Sequence, residues 1–296
     1  VKAALENGKN VVTANKALIS KHGVELAKLA ESKNLFLSFE ASVAGGIPII
    51  KAIKESLAGN KITKITGILN GTCNYILSQM SSTGRDFGII LKDAQKLGYA
   101  EADPSFDIDG VDAAHKLSIL TALAFGISPS FENIYIEGIR GLSQRDIKYA
   151  QTFNFNIRLL GICSIKSDGR IEQRVHPCLI SANSDIGRIS GVTGAIRLQT
   201  DALGSLFLSG AGAGQMPTAS AVLSDICDVA ANRKVCAFGV NANNLKQGDF
   251  LTINEHEGEY YIRLTVKDVD GVLAAVSQIF PRHSIGIEKI YQDTPE

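Results

Sequence analysis

Asp112 and Lys116 stand four residues apart, the spacing that puts two side chains on one face of a helix and presents an anion and a cation to the same small molecule. They close the run Gly98 to Lys116, GYAEADPSFDIDGVDAAHK, whose five carboxylates are Glu101, Asp103, Asp107, Asp109 and Asp112. Carboxylates in a turn-rich stretch, followed by an ammonium on an apolar helix, have the composition of a polar ligand site. A solvated i,i+4 salt bridge has the same spacing, so the other segments must decide. His115, about 100° round the helix from Lys116, reads as a structural or supporting group.

Further groups could serve the same chemistry. Lys16 sits where the strand-like Val11-Val12-Thr13 hands over to a helix, and the carboxyl ends of parallel strands are where open α/β sheets bind ligands. A surface lysine would look the same. Three glycine turns, Ala44-Gly45-Gly46-Ile47-Pro48, Asn70-Gly71-Thr72 and Gly210 to Gly214, can each bring backbone up to a ligand with a helix N-terminus behind it. Taken singly, each is better read as a tight connection, and none is the GxGxxG fingerprint after a first strand. Glu40, ahead of Ala41-Ser42-Val43-Ala44-Gly45, places a carboxylate beside a loop of carbonyls, a set able to hold a hard cation through oxygen. A merely hydrogen-bonded glutamate fits equally well. Without a GxSxG elbow or a cysteine in a known nucleophile setting, hydrolase chemistry is disfavoured.

The elements that must position these groups follow from periodicity. The first 60 or so residues alternate in the α/β manner: a helix tail, a strand at Asn10 to Thr13, a helix from about Ala17 to Ser32, a strand at Leu35 to Ser38, then a helix from Pro48. Such alternation implies a parallel sheet. A strand at Ile62 to Leu69 precedes helices at about Cys73 to Met80, Phe87 to Leu97 and Gly110 to Phe125. β-like runs follow at Ile157 to Ile165, Arg170 to Leu179 and Ile196 to Leu203, a sheet expected to face that layer of helices. A helix to about Ala230, a polar linker, and a strand, helix and strand at Tyr260 to Val266, Gly271 to Phe280 and Ile285 to Tyr291 complete the reading.

Composition narrows the function classes. The 296 residues are 45% hydrophobic and 20% charged, with 30 basic against 30 acidic side chains, so no overall field attracts nucleic acid or an acidic membrane. The five cysteines are scattered, without CxxC or a histidine at metal-ligand spacing, which argues against zinc and a disulfide framework and for a reducing cytoplasm. No apolar run reaches the roughly 18 residues of a membrane span. The chain reads as soluble, and it opens in mid-domain, since VKAALENGKNVV is the tail of a helix, a turn and a strand.

Taken in order, several segments resemble homoserine dehydrogenase closely: TANKALIS at Thr13 to Ser20, FEASVAGGIPII at Phe39 to Ile50, GILNGTCNYILS at Gly67 to Ser78, GYAEADPSFDIDGVDAAHKL from Gly98, and GAGAGQMPTASAV from Gly210. The resemblance spans roughly residues 10 to 230, and the segment from Tyr260 looks like the start of an ACT regulatory domain. It implies NAD- or NADP-dependent interconversion of aspartate 4-semialdehyde and homoserine, on the route to threonine, methionine and isoleucine. By motif it makes Lys116 the catalytic lysine with Lys16 as the competitor, and gives Glu101, Asp112, Asn70, Gly71 and Thr72 to the substrate. Lys16, Ser42, Gly212 and Gly214 fall to the cofactor, and Glu40, Val43, Gly45 and Ile47 to a monovalent cation, sodium or potassium.

The implied fold is α/β (α+β), in four parts: residues 1–45 as the second half of a Rossmann-type dinucleotide domain, 46–235 as a mixed substrate-binding and dimerisation domain, 236–257 as a linker, and 258–296 as a truncated ACT-like βαβ unit. The helix near 214–230 is expected to pack back on the nucleotide domain. The resemblance also implies a homodimer or homotetramer and threonine as a regulator. It places the GxGxxG half before Val1, so that this length alone would hold cofactor feebly. The alternative is a non-catalytic amino-acid-binding or assembly fragment of such an enzyme.

Overall fold

Helix α1 (Lys2–Glu6) turns into β1 (Val11–Val12), and α2 (Lys16–Ser32) carries the chain to β2 (Leu37–Ser38), which pairs with β1 in parallel. This is the βαβ unit that the N-terminal alternation predicts, seen in a computed structural model that describes residues 1–267 and 269–293. Helix α2 starts where the Asn15 side chain accepts from the Leu18 N–H at 3.0 Å, which satisfies one of the donors a helix start leaves free. Its buried residues Ile19, Gly23, Leu26, Ala27 and Ala30 recur at helical spacing. Only glycine fits at position 23, because a Cβ there would stand 2.8 Å from the Phe238 ring.

The helix expected from Pro48 is short: α3 (Ile49–Lys51) continues as one π-helical turn, Ala52–Ser56. Then come β3 (Ile62–Ile68), α4 (Gly71–Thr83), α5 (Phe87–Lys96), α6 (Ser105–Ile108) and α7 (Val111–Phe125). Helix α7 is the centre of the layer, buried along its length from Asp112 to Leu123 except at His115. Gly110 and Gly126, both in the left-handed region with φ of 85° and 64°, turn the chain in and out of it at little steric cost.

After β4 (Tyr135–Ile136) and α8 (Gln144–Thr152), four long strands follow: β5 (Phe155–Ile165), β6 (Ile171–Ser181), β7 (Thr193–Thr200) and β8 (Ser205–Ala211). They join β3 and β4 in one sheet of order β4-β6-β5-β3-β7-β8, antiparallel except for the β4–β6 pair. Alternation sorts the side chains between the faces. Ile65, Leu159, Cys163, Val175, Ile196 and Leu198 join Ile76, Leu77, Leu117 and Leu120 in the main core. Ile68, Leu160 and Ile162 form a smaller cluster with Ile186.

Helices α9 (Gln215–Ala230) and α10 (Val272–Arg282) complete the described elements. The expected strand Ile196 to Leu203 ends at Thr200, where a turn begins, and β4, α8 and β8 were not expected at all. The larger correction is at the C-terminus. Helix α10 forms, but Tyr260 to Val266 and Ile285 to Tyr291 are not strands. Among the described residues, no neighbouring strand takes up their N–H and C=O groups, and an unpaired strand does not hold by itself. Tyr260, Ile262, Leu264 and Val266 accordingly stand 51% to 67% exposed. Of the expected ACT-like unit, residues 268 and 294–296 lie outside the described residues. Among the described residues, no helix is long and apolar enough to cross a membrane.

Candidate active site

Three elements meet at the carboxylate of Asp112. It lies in the first turn of α7, 3% exposed. Its Oδ1 pairs with Lys16 Nζ, from the start of α2, at 2.9 Å. Its Oδ2 accepts from Lys116 Nζ, one turn further along α7, at 2.7 Å and from the Asn70 amide at 2.9 Å. Lys116 Nζ also donates to the Leu69 carbonyl at 2.8 Å. The i,i+4 pair is thus buried rather than solvated, which excludes the surface salt bridge. Burial pushes the Asp112 carboxyl up, but the Lys116 and Lys16 ammonium groups outweigh that and hold it at about 2.

An ammonium has three donors. Lys116 spends two and Lys16 one on these bonds, and both lysines line a cleft of about 190 Å³ whose other walls include Ser42, Ala44, Gly45, Gly212 and Ala213. A larger hollow of about 250 Å³ lies among Leu35, Leu37 and Val235. It is mostly apolar and contains none of the paired charges, so the chemistry belongs to the smaller cleft.

Asn70 caps α4 through its Oδ1, which accepts from the Cys73 N–H at 2.8 Å. Its amide nitrogen is then free to donate to Asp107 Oδ1 at 2.7 Å as well as to Asp112. Thr72 Oγ1 lies 3.2 Å from Asp107 Oδ2, and Gly71 packs so closely on Val192 that a Cβ would meet its carbonyl oxygen at 3.0 Å. Asp107, one of the five carboxylates of that run, is therefore part of the cluster, although the resemblance gave it no role. Burial, with Asp112 beside it, pushes its carboxyl up. Its partners lie more than 30 residues earlier in the chain, so sequence spacing carried no signal for it. Glu101 is not brought in: it is exposed, and only its carbonyl is engaged, by the Gln95 amide at 3.1 Å.

The Glu40 loop forms the floor behind the cleft. Glu40 is 2% exposed and accepts from the Ile50 and Lys51 N–H groups at 3.0 and 2.8 Å. Burial raises its carboxyl to about 7, against the pull of those two donors and with a push from Asp225. Its own N–H donates to Asp225 on α9 at 2.9 Å. The Ile47 carbonyl accepts from Ile49 at 2.7 Å, whereas those of Val43 and Gly45 accept no hydrogen bond among the described residues. Among these residues, no group of three or more His, Cys, Asp or Glu side chains could hold a metal. A cation here would have to be held mainly by carbonyl oxygens.

One wall of the cleft is built of small residues, which lets a flat ring lie close to backbone. Gly45 and Gly212 approach so closely that a Cβ on the first would stand 2.7 Å from the second's backbone, and no side chain larger than a methyl or hydroxymethyl projects from Ser42, Ala44 or Ala213. Ser42 spends its hydroxyl on the Phe39 carbonyl at 2.6 Å. Gly214 caps α9 with φ of 111° and does not line the cleft.

The family model described as homoserine dehydrogenase matches residues 48–227. The homoserine dehydrogenase of Pseudomonas aeruginosa is 46% identical over 299 residues, covering 99% of this chain and 69% of that protein. A crystal structure of the Thiobacillus denitrificans homoserine dehydrogenase superposes with a TM-score of 0.89 at 43% identity, over 98% of this chain and 68% of that one. A hyperthermophilic archaeal homoserine dehydrogenase in complex with NADPH gives a TM-score of 0.68 at 35% identity, over 78% and 67% of the two chains. With this similarity along nearly its whole length, the chain belongs to the homoserine dehydrogenase family.

Proposed function

We propose that the chain catalyses the reaction of its family, the NAD(P)-dependent interconversion of L-homoserine and L-aspartate 4-semialdehyde, an oxidoreduction at a CH–OH group in threonine, methionine and isoleucine biosynthesis. The observation that carries this reading is the Asp112 carboxylate clamped between two lysines that share one cleft. When bound, the nicotinamide supplies or accepts the hydride. As an aldehyde becomes an alcohol, negative charge grows on its oxygen, and the unspent N–H of Lys116 is placed to stabilise that charge and donate the proton. In the reverse direction the same nitrogen receives it. Lys16 is the second ammonium at the oxygen and faces the cofactor side, with Ser42 and Gly212 beside it and Gly214 behind, at the start of α9.

Asp112, being ionised, holds both ammonium groups in place. The amino-acid end of the substrate needs acidic groups for its ammonium and donors for its carboxylate. Asp112 supplies the first, and Asn70 with the free N–H groups of Gly71 and Thr72 at the α4 N-terminus supply the second. Replacing Lys116 by alanine should lower kcat by orders of magnitude while leaving NADP or NAD affinity near normal. Undiminished turnover would overturn the reading.

Four finer assignments belong to the same proposal. The free carbonyls of Val43 and Gly45, with Glu40 and Ile47, hold a sodium or potassium ion. The sheet face carrying half-buried Cys178, Ile180 and Phe207 joins two copies into a homodimer, or a homotetramer by a further contact; light scattering reads this directly. Threonine acts as a regulator through the C-terminal segment. Location in the cytoplasm accords with five free thiols.

A further inference from the structure

Lys16 is the first residue of α2, and no acidic side chain stands in that helix's first turn. The positive end of a helix dipole disfavours an ammonium there, so something else must hold it. One support is Asp112, which Lys16 shares with Lys116. The other is aromatic. Lys16 Nζ lies over the Phe106 ring, 5.5 Å from its centroid.

Phe106 is 44% exposed, on the short helix α6, yet its ring packs against other rings. It stacks on His115 with centroids 5.8 Å apart and planes at 25°, and His115 stacks on Phe131 at 4.3 Å and 18°. A neutral middle ring adds no like charge beside the ammonium. Burial, and then the Lys16 charge, lower the His115 pKa, which favours the neutral imidazole. The pile of three rings is built from α6, α7 and the segment before β4, whereas Lys16 comes from α2.

We infer that Phe106, held by His115 and Phe131, is a positioning residue for Lys16: its ring face fixes where the ammonium stands relative to Asp112 and the cleft. This rests on the reading of Lys16 as a catalytic lysine. A ring attracts an ammonium through its negative face and leaves the N–H groups on the other side available. Phe106 therefore restrains Lys16 without consuming the donor that substrate or cofactor needs, which a second carboxylate would do.

The test compares Phe106→Leu, Phe106→Met and Phe106→Trp in the otherwise unaltered protein, with melting temperature measured for each. Both ringless variants should melt close to the parent and lose about threefold to tenfold in kcat, the scale of one such contact, with cofactor KM little changed. Phe106→Trp should stay within about twofold of the parent, since indole offers the better face. The deciding measurement is a double-mutant cycle with Lys16→Met. In that background Phe106→Leu should cost nothing further, because the ammonium it positions is gone. Full turnover in the ringless variants, equal loss in the tryptophan variant, or additive losses in the cycle would each overturn the inference. Should Lys16→Met itself retain full turnover, the reading of Lys16 falls and takes this inference with it, while the assignment of Lys116 is tested separately.

Discussion

Asp112 bonds to the side chains of Lys16, Lys116 and Asn70 behind the cleft, and its charge state sets what the cleft can do. With its carboxyl held at about 2, it is an anion throughout the range in which a dehydrogenase works. Asp112→Asn keeps the shape but leaves Lys16 and Lys116 facing an amide, so kcat/KM should fall about a hundredfold or more, the scale of losing a preorganised charge; unchanged steady-state kinetics would refute the role. The same depression predicts a stability term. A carboxyl lower in the folded state stabilises above its ordinary value and loses that contribution as pH falls through about 2, about 2 to 3 kcal/mol in all. Urea unfolding of the parent should weaken toward acid by about that much more than unfolding of Asp112→Asn. At this scale the sequence was informative where chemistry follows spacing. Lys116 and Asp112 lie on one helix, and Lys16 sits at a strand end. Asp107 was hidden because its value comes from Asn70 and Thr72, over 30 residues away along the chain. Glu101 was picked by motif, but its side chain has no packing that would fix it near the others.

The two lysines can converge only if α2 and α7 keep their register, and a buried pair of hydroxyls sets it. Ser118 Oγ donates to the His115 carbonyl at 2.9 Å, and Ser20 Oγ stands 2.6 Å from Ser118 Oγ. With the Ser118 proton spent on His115, Ser20 is the donor between the helices. Ser118→Ala strips Ser20 of its acceptor and should cost about 1 to 3 kcal/mol, the penalty for a buried donor left unpaired. Adding Ser20→Ala removes the orphan, so the double variant should be no less stable than Ser118→Ala alone in urea melts. A double variant weaker by the sum of the two losses would exclude the pairing. Elements like α2, α4 and α7 were readable because a cap or a glycine marks their ends and apolar residues mark one face. Helix α8 was missed because few of its residues, QRDIKYAQT, are apolar. Its signature was the capping box formed by Ser143 and Asp146. Strands β4 and β8 owe their existence to neighbours, β6 and β7, and the expected strands around α10 show the converse: β-prone sequence without a partner stays irregular.

Across the molecule, the three glycine turns look unrelated in sequence, yet two of them touch. Gly45 packs on Gly212, and the Gly46 N–H donates to the Ala211 carbonyl at 3.0 Å. Chain-distant backbone approaches of this kind leave no periodic signal, which is why the cleft's wall could be inferred only from resemblance. Glu40 binds that wall together, since its carboxylate caps α3 and its N–H reaches Asp225 on α9. Its carboxyl rises from 4.5 to about 7 on folding. A raised carboxyl contributes stability that is fully present below its unfolded value and is lost as pH climbs through the folded one. The parent should therefore lose about 3 kcal/mol between those two points, and Glu40→Gln, neutral throughout, should be less stable at acid pH but show a correspondingly flatter profile. A sodium or potassium ion on the Val43 and Gly45 carbonyls would favour ionised Glu40, so either salt should raise the parent's melting temperature above pH 7, relative to a bulky organic cation at equal ionic strength, and raise that of Glu40→Gln much less. Identical pH slopes for the two proteins would refute the assignment of the titration to Glu40, and an equal response to all cations would leave the loop a structural brace alone.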